Sequence, residues 1–436
     1  MSLTPPAFVL RATRLLLLLL APAAFAAPFE VETFRPSPQH PLLLLAPREA
    51  NRSTLTIVFD AGAIEENFEN GLTRMSQHAL LHANARATYE KLALAFYKSA
   101  ATLELRTGLH ESRFTLTAPP SQFDALARTL LTSVLSPKLD LKRFKATVER
   151  TQRDPQPVDQ DNWVEMLLAR ALLEDQRYRD ENLGSVEKLE ELEPQKLRQY
   201  VTTWLAPSNA TIIATGHFDA KALRTLVAGF KGGTPHKLEQ AKLSLPFKRD
   251  VPSDREVQVF AYPVRIETAR HAAAARVLAS LMEERLYNRF RNAGVGYGFA
   301  SEIVLTPAID VFALILPASE RSGLDLARFL REEVQAVREG KLEPGSFERH
   351  RQGMLRRLQL ADTDPALVAE QLRLTRHRPA WYGADLPAAL EALTPESLGE
   401  LASSWLRNES SIQIHFTIPR PPPRETIELD PVPENR

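Results

Sequence analysis

The feature that most constrains this chain is an internal repeat. Leu189-Glu190-x-Leu192-x-Pro194-x-x-Leu197, followed by Trp204-Leu205, returns as Leu390-Glu391-x-Leu393-x-Pro395-x-x-Leu398, followed by Trp405-Leu406, with every residue displaced by the same 201 positions. Both copies enter behind a proline, which suits the first turn of a helix, and both run into a β-like stretch, Ala210 to Thr215 and Ser411 to Phe416. A period of about 200 residues is the size of a domain, not of a solenoid unit. The 436 residues therefore read as two copies of one α/β unit.

Hydrophobic periodicity fills in each copy. The first has strands at Phe29 to Phe34, Pro41 to Ala46 and Leu55 to Phe59, a helix opening at Gly71, helical patterning from Tyr89 to Tyr97, and alternating runs at Ala101 to Leu105 and Ser112 to Thr117. Helices follow at Ser121 to Val134, Leu141 to Arg153, Asn162 to Leu173, Pro194 to Leu205 and Ala220 to Phe230. The second copy opens with a strand, Glu256 to Phe260, and a long helix, Ala269 to Arg291, then paired strands at Gly296 to Leu305 and Ile309 to Leu316. Between them lies a turn-rich segment with Gly232-Gly233, Pro235, Pro246 and Pro252. The expected division is 1–26 leader, 27–230 first domain, 231–254 linker, 255–418 second domain and 419–436 tail. The tail, with Pro421-Pro422-Pro423, Pro431 and Pro433, favours an extended or disordered form.

Arg11 and Arg14 precede the apolar run Leu15 to Leu20, and Ala24-Phe25-Ala26 supplies small residues for cleavage. This is the pattern of a secretory signal peptide, and the run is short of the roughly 20 residues that span a bilayer. With no cysteine there is no disulfide and no lipid attachment site. The expected destination is a bacterial periplasm, without stable membrane insertion. Lys+Arg and Asp+Glu both total 54, so no net field draws the chain to nucleic acid.

Chemistry concentrates on the helix that opens at Gly71. Arg74, Gln77 and His78 share one face of it, at i, i+3 and i+4. That is the spacing of H-x-x-E-H, in which two imidazoles hold zinc and a glutamate acts as general base. Here only His78 matches. A guanidinium has no lone pair to give a metal, and an amide cannot take a proton from water. A third ligand would come from Glu149 or Asp154, and the spacing does not choose between them. His78 and His82 form a separate i, i+4 pair, without a third ligand at defined spacing, while His110, His217 and His236 are scattered. No G-x-S-x-G elbow, Walker loop or G-x-G-x-x-G follows a strand, and Gly294-x-Gly296-x-Gly298 lies between helix and strand, the wrong order for a dinucleotide fold. For Arg74, two readings stand: a solvated helix residue, or a cation standing in the space of the absent metal and tied to an acid of a neighbouring helix.

Taken together, the strand, the acidic loop Gly62-x-x-Glu65, the Gly71-Leu72 helix opening, the tandem halves and Arg285-Leu286-Tyr287-x-x-Phe290-Arg291-x-x-Gly294-Val295-x-Tyr297 resemble the pitrilysin/insulinase-like zinc metallopeptidases, relatives of the mitochondrial processing peptidase and the bc1 core proteins. The resemblance implies an α+β fold of two homologous domains, each a mainly antiparallel sheet covered by helices, together forming half of a clamshell. It also implies that Arg291 and Tyr297 touch substrate near the scissile bond, although five residues separate them here where the family pattern has six. On this reading the chain binds no cofactor. Zinc sits in a homologous partner with intact H-x-x-E-H, and unfolded peptides lie between the two. The alternatives are a scaffold or chaperone without any proteolytic role, and a hydrolase using His78 and His82 with another metal.

Overall fold

A computed structural model describes residues 30–85, 89–154, 163–173, 176–180, 183–236, 245–252, 256–293, 300–305, 310–317, 326–378, 381 and 385–417. The expected signal peptide, the Pro-rich tail, Tyr297 and the Gly294 to Gly298 turn lie outside these residues.

In chain order the first half contains β1 (Glu32–Phe34), β2 (Leu42–Pro47), β3 (Ser53–Phe59), α1 (Leu72–His82), α2 (Tyr89–Lys98), β4 (Thr102–Thr107), β5 (Ser112–Ala118), α3 (Pro120–Leu135), α4 (Phe144–Gln152), α5 (Trp163–Leu172), α6 (Pro194–Thr203), β6 (Ala210–Gly216) and α7 (Ala220–Val227). The second contains β7 (Phe247–Pro252), β8 (Val257–Pro263), α8 (Ala269–Asn292), β9 (Ala300–Leu305), β10 (Asp310–Pro317), α9 (Leu326–Arg338), α10 (Pro344–Thr363), α11 (Pro365–Thr375), α12 (Asp385–Glu391), α13 (Pro395–Trp405) and β11 (Ile412–Thr417). The repeated sequence blocks fall on α6–β6 and α13–β11.

The repeat is also a repeat of wiring. The first sheet runs β1-β2-β6-β3-β5-β4 and the second β7-β11-β8-β10-β9. Without β1 the two orders coincide, and each has its one parallel pair in the same place, β2 with β6 and β7 with β11. The remaining ladders are antiparallel. The architecture is thus two mixed, mainly antiparallel sheets covered by helices. Strand β7 lies inside the stretch expected as a linker. It sits at the sheet edge, where the ladder tolerates Pro252 at its end, so the prolines there punctuate a strand instead of excluding one.

Each half lends a helix to the other. The first sheet's inner face, with Leu43, Leu45, Leu55, Ile57 and Phe59, packs against helices of its own half. Its outer face, with Leu44, Ala46, Val58 and Ile213, is covered by Val368, Ala369 and Leu372 of α11. Reciprocally, Val164, Leu168, Ala171 and Leu172 of α5 cover Val259, Ala313, Ile315 and Ile414 of the second sheet. This two-sided burial explains why β3 and β6 read as nearly unbroken apolar and threonine runs: every residue of both strands is buried.

A buried ionic layer ties down the end of α11. Arg376 reaches Asp60 at 2.7 Å and Glu111 at 2.8 Å, Arg373 pairs with Glu111 and with Glu370, and His377 Nε2 lies 3.0 Å from Asp60. Burial would raise Glu111, but the charges of Arg373, Arg376 and Arg113 overcome it and hold that carboxyl down at about 2.

Candidate functional site

Helix α1 starts where only glycine fits. Gly71 has φ 83°, and a Cβ there would meet the Ser185 carbonyl oxygen at 2.5 Å. The first amides are capped by an acid from the preceding loop, since Glu66 accepts from Gly71 N at 2.7 Å and Thr73 N at 2.9 Å. Beside it, Glu65 accepts from Gly62 N at 2.7 Å. Burial raises Glu65 to about 8 and Glu66 to about 7, against the opposing effect of these hydrogen bonds. Tyr200 of α6 donates to Gly62 O at 3.1 Å and lies 2.7 Å from the Thr73 hydroxyl, which fixes the loop to the helix. The helix is buried on nearly all sides, which is why its sequence lacks a clean polar face.

The three motif positions share a face and have separate fates. Arg74 is buried, with Nη2 3.7 Å from Asp154 Oδ1, and His78 Nε2 is 3.5 Å from Asp154 Oδ2. Asp154 follows the last turn of α4 and is half exposed. Glu149, the other acid considered, pairs with Arg153 at 3.7 Å on the outer side of α4. Gln77 turns to the sheet, where its amide nitrogen donates to Arg106 O at 3.0 Å and Arg113 O at 3.1 Å, and its oxygen accepts from Thr107 Oγ1 at 2.7 Å. It therefore clasps α1 to the β4–β5 hairpin.

Zinc does not fit this donor set. A guanidinium stands at the first ligand position, the base position is an amide fully committed to the hairpin, and one imidazole remains. Burial lowers His78 to about 4, helped by Arg74 and Arg150 and opposed by Asp154. His82 is likewise lowered to about 4, first by burial and then by His78. The two rings lie 5.6 Å apart between centroids, tilted by 36°. Among the described residues, no group of three or more His, Asp or Glu side chains is arranged to hold a metal ion.

The other pair of expected site residues is only half placed. Arg291 is exposed in the last turn of α8, where its charge favourably meets the helix dipole. Tyr297 lies outside the described residues.

The geometry can be compared with known proteins. The profile described as Insulinase (Peptidase family M16) matches residues 43–186, and that described as Peptidase M16 inactive domain matches residues 191–354. No curated protein sequence matches the chain. Among solved structures, an M16-like peptidase from Alicyclobacillus acidocaldarius is similar over 91% of this chain and 100% of its own, with 16% identity and a TM-score of 0.65. A protease from Helicobacter pylori is similar over 90% and 100%, with 12% identity and a TM-score of 0.68. The first half of the periplasmic protease PqqL from Escherichia coli is similar over 90% and 93%, with 14% identity and a TM-score of 0.64, whereas this chain covers 48% of the longer PqqL structure. The likeness to these structures is one of fold, and the two profiles together span most of the chain. With tandem sheets of identical wiring and a degenerate motif on the helix after β3, the chain belongs to the insulinase-like peptidases of family M16.

Proposed function

We propose that this chain is the non-catalytic half of a two-chain zinc peptidase, placed in the periplasm by its signal peptide. The observation that carries this reading is the motif helix: a buried Arg74 beside Asp154 and a neutral His78, with Gln77 tied to the β4–β5 hairpin. Such a helix supplies neither metal nor base. It retains the fold around them, which has catalytic use only opposite a half that holds zinc. A homologous partner with intact H-x-x-E-H provides metal, water and proton transfer. This chain provides the facing wall of the peptide chamber and, through Arg291 and Tyr297, hydrogen bonds to the substrate backbone or developing oxyanion. PqqL supports the arrangement, because its longer structure is about twice the length of this chain and joins in one polypeptide what two chains of this size would supply.

The test is co-expression with an H-x-x-E-H homologue from the same host. A stable complex that hydrolyses an unfolded peptide faster than the partner alone is expected, with Arg291→Ala slowing turnover and leaving assembly intact. No complex, or a partner rate indifferent to this chain, sinks the proposal and leaves the scaffold reading.

A further inference from the structure

The second half has a cavity lined by α8, β9, α10 and α11, beside the helix that corresponds to α1 in the wiring. In the first half, α1 packs between β4 and α4. In the second, α8 stands between β9 and α10 in the same wiring, and between them opens a cavity of about 520 Å³. This is within the ~300–1,000 Å³ range of ligand sites.

Its walls carry three buried polar groups without a hydrogen-bond partner among the described residues: Arg276 Nε, Ser301 Oγ and Trp381 Nε1. Two can only donate, and a hydroxyl can do so too, so what they lack is an acceptor. Arg276 is the informative member. Its guanidinium stacks 5.2 Å from the Trp381 ring centroid, and Nη2 makes one long contact, 3.5 Å, to Trp381 O. Among the described residues no carboxylate lies within ion-pair distance of it. Burial alone lowers it to about 10, a desolvation cost that buried arginines ordinarily offset with an anion.

The rest of the lining defines the anion. Leu358, Leu367, Leu374 and Met354 make an apolar wall, and Leu367 and Leu374 remain 52% and 44% exposed. Glu283, Glu302 and Glu370 line the cavity together with one further cation, Arg357, and three carboxylates repel phosphate or any multiply charged anion more than a single carboxylate. Strand β9, last in its sheet, forms one wall and suits the extended backbone of a peptide.

We propose that this cavity binds the free carboxylate end of a short apolar peptide, with Arg276 and Trp381 Nε1 as donors to the carboxylate. The choice of a peptide rests on the peptidase-half reading. The affinity is measured on this chain alone, so it and partner-dependent hydrolysis fail independently.

Titration calorimetry of the full chain with N-acetyl-Leu-Leu-Leu as free acid and as C-terminal amide tests it. The acid is expected to bind at least tenfold more tightly. Arg276→Gln should bring acid and amide to equal affinity, and Trp381→Phe, which keeps the ring and removes the donor, should weaken the acid selectively. Equal binding of acid and amide to the wild-type chain, or no binding of either, overturns the proposal without recourse to any variant. Octanoate that displaces the peptide acid at equal concentration removes the peptide from it.

Discussion

Gln77 decides what the motif helix can become. Its two N–H groups face two backbone carbonyls, so Gln77→Glu, which would restore the general base on paper, aims an acceptor-only carboxylate at Arg106 O and Arg113 O. The expected cost is about 2–4 kcal/mol, from lost bonds plus buried like-signed dipoles, read as a lower urea midpoint at unchanged m-value. Arg74→His with Gln77→Glu should accordingly fail to bind zinc stoichiometrically in equilibrium dialysis. Asp154 is half exposed, so its screened contact with Arg74 is worth less than a buried pair. Asp154→Asn should cost about 1–2 kcal/mol by the same assay. The i, i+3, i+4 spacing was enough to place Arg74, Gln77 and His78 on one face. It could not show that Gln77 leaves that site for the sheet, because its three partners come from a hairpin about thirty residues downstream. Nor did spacing choose between Glu149 and Asp154, since that depends on where α4 ends.

At the level of elements, the reciprocal covering by α5 and α11 holds the halves together. Leu372 is wholly buried against the first sheet, so Leu372→Ala should cost about 2–5 kcal/mol in urea unfolding. Arg373→Ala leaves Glu111 with Arg376 at 2.8 Å and Arg113 at 3.4 Å, so the loss of one charged partner should cost about 1.5–3 kcal/mol. Adding Glu111→Ala should cost less than it does in the wild-type chain, and strict additivity in the double-mutant cycle would show that the pair does not couple. Most of the elements were legible from periodicity, and the repeat anticipated the shared wiring. The exchange of helices was not legible. An apolar helix face carries no label for the sheet it covers, and Glu111 and Arg373 are separated by 262 positions, which no local pattern links. The three orphan donors of the second-half cavity were hidden for the same reason, since Arg276, Ser301 and Trp381 look ordinary until the fold gathers them.

Across the whole molecule, buried titratable groups of opposite kinds set a stability window. His78, His82 and His110 are lowered from 6.5 to about 4, chiefly by burial. The unfolded chain takes up protons at these sites first, so their contribution is full above pH 6.5 and is lost as pH falls toward 4. Glu65 is raised by burial from 4.5 to about 8, and Glu66 and Glu165 to about 7. Here the native state holds its protons longer, so their contribution is full below pH 4.5 and is lost as pH rises through 7 to 8. Between 4.5 and 6.5 the two sets oppose each other, three groups against three. Above 6.5 only the glutamates act, and below 4.5 the histidines act together with Glu111, which is held down at about 2. Stability should therefore be broadest between pH 4.5 and 6.5, fall from 6.5 to 8, and fall steeply below 4.5. Urea midpoints measured across this range check the shape. Glu65→Gln, which keeps the acceptor for Gly62 N and removes the titration, should flatten the alkaline side. A midpoint that climbs steadily from pH 6.5 to 8 would mean that Glu65 and Glu66 are ionised in the folded chain, and that the loop leading into α1 is open to water.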